Sequence, residues 1–250
     1  MFMNRSTPDY RAQSSMSSSL DVFLLGALEL DSAIELQERM RDEIAGRNDR
    51  HGVLLVCEHP PAITIGREGR FADVLIDRDE LVSRRIDVRW VNRGGGTFLH
   101  LPGQLAINAI VPLERLALGL TGLRSAFEAS LIAMAGDLKV PAERSTAAPG
   151  AVCRCGQFAF IGAGVRDWVS YGGMLVNVSL PQEILDLVRW TDTDVRVTSL
   201  SAQRTRPTAV STVRESLIRN LSQAMGYDSY HLFTGHPLLH RTTRKVYVYA

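Results

Sequence analysis

The chain of 250 residues holds only two lysines, Lys139 and Lys245, and three cysteines, Cys57, Cys153 and Cys155. Its basic complement is nearly all arginine, so chemistry that needs an amine has two positions to draw on. Three thiols, odd in number and without metal-ligand spacing, argue against a disulfide scaffold and against a zinc site, and fit reduced thiols in a cytoplasmic protein. No run approaches the roughly 18 apolar residues that span a bilayer, and the first twenty residues carry serines and other polar groups where a secretion signal would place an apolar core. A formal net charge of +1 gives no field that would recruit nucleic acid or an anionic membrane. Neither G-x-G-x-x-G nor a G-K-[ST] ending occurs, which excludes the usual dinucleotide and nucleotide-triphosphate loops.

What is present is a chain 45% hydrophobic and 22% charged, enough for one substantial core in a single domain. Residues 1–20 read as a flexible leader, 21–226 as the domain, and 227–250 as a C-terminal extension packing on it, with Val246-Tyr247-Val248-Tyr249 as a candidate edge strand. Strands are expected at 21–29, 53–57, 88–92, 105–111, 157–166 and 168–178, the last two as an antiparallel pair turning near Asp167. Helices are expected from the capping box Ser32-Ala33-Ile34-Glu35 to Gly46, over 121–134 with Gly136 after it, and from the capping box Thr212-Val213-Arg214-Glu215 to Gly226. Residues 143–151, rich in Ser, Thr, Ala and Pro, read as a loop. Strands and helices without strict alternation indicate an α+β fold, a mixed sheet with flanking helices.

Three blocks carry the candidate site. Val53 to Cys57 is an apolar run that delivers Glu58 and His59 to a loop, is stopped by His59-Pro60-Pro61 and is followed by Thr64-Ile65-Gly66-Arg67. Arg93-Gly94-Gly95-Gly96-Thr97-Phe98-Leu99-His100 runs into Leu101-Pro102-Gly103-Gln104 as a strand-to-strand crossover whose glycines bring bare N–H groups close to a ligand. Phe158-Ala159-Phe160-Ile161-Gly162 leads to Trp168-Val169-Ser170-Tyr171-Gly172-Gly173 and Asn177-Val178.

In this order, from about Val22 to Gly226, the blocks resemble the octanoyl-acyl-carrier-protein:protein octanoyltransferases, the lipoate biosynthesis protein B family. The resemblance implies the catalytic-domain fold of biotin and lipoate protein ligases. It also implies an acyltransfer from octanoyl-acyl-carrier protein to the lysine of an apo lipoyl domain, with no cofactor, no metal and a monomeric protein. The substrate pocket is then built by Arg93, Gly94, Gly95, Gly96, Thr97, Phe98, Leu99, His100, Phe160, Ile161, Gly162, Gly173, Met174 and Leu175. Backbone N–H groups of Gly94, Gly95 and Gly162 would face a carbonyl oxygen. Arg93 either anchors the loop or contacts substrate.

The reacting residues depart from the family. A cysteine in a Pro-Cys-Gly segment and a lysine opening a K-I-A-x-x-G strand are implied, but the lysine position holds Gln157. Counting forward from Asn177 puts the cysteine position at Thr191; counting back from Val197-Thr198-Ser199-Leu200 puts it at Trp190. No cysteine follows Cys155. Gly172 stands where the family has a histidine. Gln157 carries no charge with which to lower a thiol pKa. Thr191, beside Asp192 and Asp194, has no triad-like base in view. Cys153 and Cys155 read as a displaced nucleophile or as small buried hydrophobes. Glu58 and His59 are adjacent with no third ligand, so no metal is expected there. His231, His236 and His240 are expected to be solvated.

These observations lead to an octanoyltransferase-family protein with altered or lost catalysis, the alternative being a non-catalytic binder of an acyl chain, a carrier protein or a lipoyl domain. An ATP-dependent ligase is the weakest reading, because those enzymes are also expected to use a lysine at the Gln157 position.

Overall fold

The structure is a computed structural model that describes residues 18–192, 195–204 and 207–239. The leader's first seventeen residues, the 246–249 strand candidate, His240 and Asp194 lie outside the described residues. The expected α+β architecture is present. Eleven strands form an eight-stranded mixed sheet and a three-stranded sheet. In chain order they are β1 (Ser19–Ala27), β2 (Gly52–Glu58), β3 (Ala62–Ile65), β4 (Asp87–Trp90), β5 (Thr97–His100), β6 (Gln104–Ile110), β7 (Ala142–Arg144), β8 (Gly150–Cys153), β9 (Gly156–Arg166), β10 (Val169–Asn177) and β11 (Ser229–Thr234). The helices are α1 (Leu30–Gly46), α2 (Arg78–Ser83), α3 (Leu120–Asp137), α4 (Gln182–Leu185) and α5 (Val210–Ala224). The large sheet runs β11-β1-β2-β6-β10-β9-β8-β7 and the small one β4-β3-β5.

Strand alternation sorts the core onto two faces. Leu54 and Val56 of β2 join one cluster with Phe127 and Leu131 of α3 and Val213, Leu217 and Leu221 of α5. Val53 and Leu55 point the other way, onto Leu36, Met40 and Ile44 of α1. The small sheet shares that second face: Ile63, Phe98 and Leu99 pack with Cys57, Ala106, Phe160 and Leu175 of the large sheet. Each large apolar side chain so buried contributes about 1.5–3 kcal/mol. Helix α1 and the small sheet lie side by side on one face, and the space between them is where the site forms.

Several expected details are corrected. Strand β1 starts at Ser19 and ends at Ala27, not Glu29. Helix α1 starts at Leu30 with Glu29 at its N-cap and no side-chain cap, so Ser32 lies inside the first turn and its capping box does not form. Helix α5 likewise starts at Val210 behind Ala209, leaving Thr212 within the helix; in both, burial of the apolar stripe sets the start rather than capping chemistry. Helix α3 continues through Gly136 to Asp137. The 143–151 segment is no plain loop, since β7 and β8 pair antiparallel as the edge of the large sheet. The glycine crossover contains a strand of its own, β5, which pairs with β3. The β9–β10 hairpin is antiparallel as expected, and its turn residues Asp167 and Trp168 both have positive φ. His236 packs edge-on against Phe23 with ring centroids 4.5 Å apart, whereas His231 is exposed on β11.

Candidate functional site

Motif residues first serve to hold the loops. Glu58 accepts the Gly103 N–H at 2.9 Å through Oε2. Gln104 accepts the Leu101 N–H at 2.6 Å and donates to Leu99 O and Asn177 Oδ1 at 2.9 and 2.8 Å. The turn after His100 is thus clamped from two strands, which fixes where His100 points.

Arg93 anchors the glycine loop. Its Nη1 donates to Gly94 O at 2.9 Å and Gly96 O at 3.2 Å, its Nη2 to Thr64 O at 3.2 Å and Thr64 Oγ1 at 2.5 Å. The guanidinium carbon sits 3.7 Å over the Phe98 ring, a cation–π contact. Burial pulls the Arg93 guanidinium below its ordinary value, with Glu68 opposing; it remains a cation at neutral pH. Arg93 thus anchors the loop, as one of its two expected roles has it, and it also lines the cavity described below.

Thr64 Oγ1 accepts from Arg93 Nη2 and lies 2.9 Å from His100 Nε2, a hydrogen bond whose direction follows the imidazole tautomer. His100 Nδ1 is buried and has no hydrogen-bond partner among the described residues. Burial, then the neighbouring His59 and Arg93, hold the His100 imidazole well below its usual value, so it is neutral. His59 donates from Nδ1 to Leu28 O at 2.7 Å, and burial lowers its pKa too. Its Nε2 faces Cys57 Sγ at 3.6 Å, and burial, with Glu58 nearby, pushes the Cys57 thiol up to about 12. Cys57 is a core thiol, not a nucleophile.

His59, Thr64, Arg93 and His100 line a cavity of about 340 Å³ between α1, the small sheet and strands β6, β9 and β10, within the usual size of a small-ligand pocket. Of the expected pocket residues, Arg93, Phe98, His100, Gly162, Gly173, Met174 and Leu175 line it. Gly95, Gly96, Phe160 and Ile161 line a second cavity, of about 150 Å³, and Phe98 reaches both. Thr97 and Leu99 face away into packing, both fully buried. The Gly94 N–H does not face a ligand, since it donates to Ala163 O at 3.0 Å.

Gly172 also lines the large cavity. Its φ is +69°, and a Cβ there would sit 2.3 Å from Gly162 O. A side chain at this position would therefore be both strained and crowded. Its N–H donates to Gln37 Oε1 on α1 at 2.7 Å, which brings α1 to the cavity wall. Thr64 and Gln37 were missed in the sequence; Thr64 lies within the T-x-G-R block, while Gln37 carries no local signal.

The reacting positions are filled by packing. Gln157 is fully buried and accepts from Ser145 Oγ at 2.8 Å, while its Nε2 donates to Ala148 O at 3.2 Å and Ala159 O at 3.0 Å. Its amide ties down the 145–149 loop and lines neither cavity. The Trp190 ring stacks on Phe160 at 4.7 Å and on Phe98 at 5.8 Å, with Nε1 donating to Leu185 O at 2.9 Å. Gly96 abuts the Trp190 carbonyl. Thr191 and Asp192 line the outer part of the smaller cavity, and Asp192 is paired with Arg70. Cys153 and Cys155 lie at the β8–β9 turn, where Cys153 Sγ contacts Gly156 O at 3.3 Å and burial raises its pKa. Neither thiol lines a cavity. Among the described residues no cluster of three His, Cys, Asp or Glu could hold a metal, and no helix is long and apolar enough to cross a membrane.

A mixed sheet with helices on both faces and a small sheet roofing a clamped Arg-Gly-Gly loop defines the lipoate-ligase class of catalytic domain. The same fold is seen in the bi-partite lipoate protein ligase of Thermoplasma acidophilum, at a TM-score of 0.66 and 15% identity over 89% of this chain and 88% of that one. The profile of the lipoyl protein ligase A/B catalytic domain matches residues 30–222, and the chain belongs to that family, on its octanoyltransferase branch. It is 33% identical to an octanoyltransferase of Geobacter metallireducens over 77% of this chain and 87% of the relative. It is 36% identical to one of Syntrophotalea carbinolica over 62% and 70%.

Proposed function

We propose that this protein keeps the family's acyl-binding scaffold and has left its cysteine relay, so that it holds an octanoyl-type chain in the larger cavity without forming an acyl-enzyme. By resemblance the chain arrives on acyl-carrier protein, and the companion partner is an apo lipoyl domain. The observation that carries this reading is the packing of Trp190 between Phe98 and Phe160, next to the glycine loop, where the family's chemistry needs an exposed thiolate. A tryptophan offers no nucleophile, and Gln157, whose amide is committed to three hydrogen bonds, offers no cation to activate one. In the tautomer that carries its proton on Nδ1, the neutral His100 supplies a donor for a thioester carbonyl. Such a donor orients the acyl group and can stabilise an oxyanion by a few kcal/mol, so any direct aminolysis would be slow.

The non-catalytic reading, a protein that binds acyl chain, carrier or lipoyl domain without turnover, is favoured over a relocated nucleophile because Cys153 and Cys155 sit away from both cavities. Intact-mass spectrometry after incubation with octanoyl-acyl-carrier protein, then with an apo lipoyl domain, tests it. Unchanged mass of this protein and acceptor, with a complex recovered under native conditions, is the expected result. An octanoyl adduct on Cys153, Cys155 or Thr191 that chases onto the acceptor refutes it.

A further inference from the structure

Helix α1 lines the larger cavity with one face, and that face changes character along its length. Leu30, Ala33 and Ile34 come first, then Gln37, Glu38 and Arg41, spaced as neighbours on a helix surface are. The sheet wall changes in the same direction. Ala106 and Asn108, two residues apart on β6 and therefore on one face, both line the cavity, as do their β10 partners Leu175 and Gly173. Two contacts fix the common direction. Leu28, just before α1, donates its N–H to Glu58 O at 2.9 Å, beside the Cys57 and Ala106 pair. At the other end Gly172, next to the Gly173 and Asn108 pair, donates its N–H to Gln37 Oε1 at 2.7 Å. The cavity therefore has an apolar end and a polar end, with Gln37 and Asn108 on opposite walls of the polar one.

His100 belongs to the apolar end. Its ring centroid lies 5.3 Å from that of His59, which is held by Leu28 O. With a thioester carbonyl at His100, the rest of the ligand runs past Gln37 and Asn108 toward the exposed rim at Glu38 and Arg166. The two amides on that route have hydrogen-bonding capacity to spare. Gln37 commits only Oε1, to the Gly172 N–H, and its Nε2 has no partner among the described residues. The Asn108 carboxamide, although partly buried, makes no hydrogen bond to the described residues. Gln37 thus offers a donor alone, and Asn108 a donor and an acceptor.

That pattern selects the ligand's chemistry. A methylene chain would strip both amides of water and replace none of its hydrogen bonds, whereas a secondary amide supplies a C=O and an N–H. A carboxylate would leave Asn108 Oδ1 without a donor, and an ammonium would leave Gln37 Nε2 without an acceptor. We propose that Gln37 and Asn108 form a subsite for an amide-bearing arm that carries the acyl thioester, and that they select such a thioester over one on an amide-free thiol. The proposal deepens the reading that the larger cavity takes the acyl chain, and rests on it.

The test is equilibrium dialysis of the full chain with S-octanoyl-N-acetylcysteamine, whose arm holds a secondary amide, and with S-pentyl thiooctanoate, where methylenes stand in its place. Wild type should bind the amide-bearing thioester about tenfold more tightly, a difference of about 1.4 kcal/mol. Asn108→Leu is close in shape and gives up no protein hydrogen bond. Gln37→Glu keeps the oxygen that the Gly172 N–H needs and removes the donor. Each should lower the preference, and the double variant should erase it; if the double variant does not fold, Asn108→Leu decides alone. A preference that persists unchanged in the variants overturns the proposal. Equal binding of both thioesters by wild type refutes the subsite alone, whereas binding of neither refutes the reading beneath it.

Discussion

The Trp190 indole lies on the Phe160 ring with centroids 4.7 Å apart and planes 26° apart. This stack makes the indole part of the packed core between the small sheet and β9. Trp190→Cys should therefore cost stability, about 3–5 kcal/mol as for other large-to-small aromatic core changes. Trp190→Phe should cost much less. Urea denaturation of the two variants checks the ranking, and equal stability would mean the ring is not packed as described.

Thr64 Oγ1 is hydrogen-bonded to both Arg93 and His100. Thr64→Val keeps the shape but leaves a guanidinium N–H and an imidazole nitrogen unpaired, so stability should drop by about 1–3 kcal/mol. Thr64→Ser should restore most of it. Acyl binding should weaken in the valine variant because His100 loses the partner that fixes its tautomer, a change visible in the 15N shifts of the ring.

Gly172 cannot revert simply. At φ +69° and with a Cβ 2.3 Å from Gly162 O, Gly172→Ala and Gly172→His should both destabilise by about 1–3 kcal/mol or shift the β9–β10 hairpin. Thermal melts read the cost. A Gly172→His variant as stable as wild type would show that the backbone relaxes and that only the side chain was lost.

His59 and His100 are both held neutral by burial, below the ordinary histidine value of about 6.5. The unfolded chain binds more protons than the folded one in that window, so stability is complete above about pH 6.5 and falls as the pH drops below it. Asp49, held at about 2 chiefly by its hydrogen bond to Arg47, acts only in a lower window, below about pH 4. Chemical denaturation between pH 7.5 and 5 should show a decline that His100→Gln flattens.

How much was legible follows from what each segment depends on. Strand β2 and the β9–β10 hairpin were readable because apolar periodicity and a turn dictate them locally. The starts of α1 and α5 were displaced because the apparent caps, Ser32 and Thr212, are overruled by burial of the apolar stripes. Strand β5 was hidden inside the glycine block, since its four buried residues exist as a strand only through pairing with β3. Of the block from Arg93 to His100, Arg93, Phe98 and His100 line the larger cavity and Gly95 and Gly96 the smaller one, while Arg93 also anchors the loop and the Gly94 N–H is spent on Ala163. The rival positions Trp190 and Thr191 could not be separated, because the length of the connection from β10 is not periodic. In the fold the Trp190 indole is buried, and both residues line the smaller cavity.

The most direct test of the account is a crystal structure of the protein with S-octanoyl-pantetheine. The account predicts an extended chain among Phe98, Met174 and Leu175, its thioester intact and its carbonyl oxygen within hydrogen-bond reach of His100 Nδ1. An empty cavity, or density joining the acyl carbon to a side chain of this protein, would contradict it.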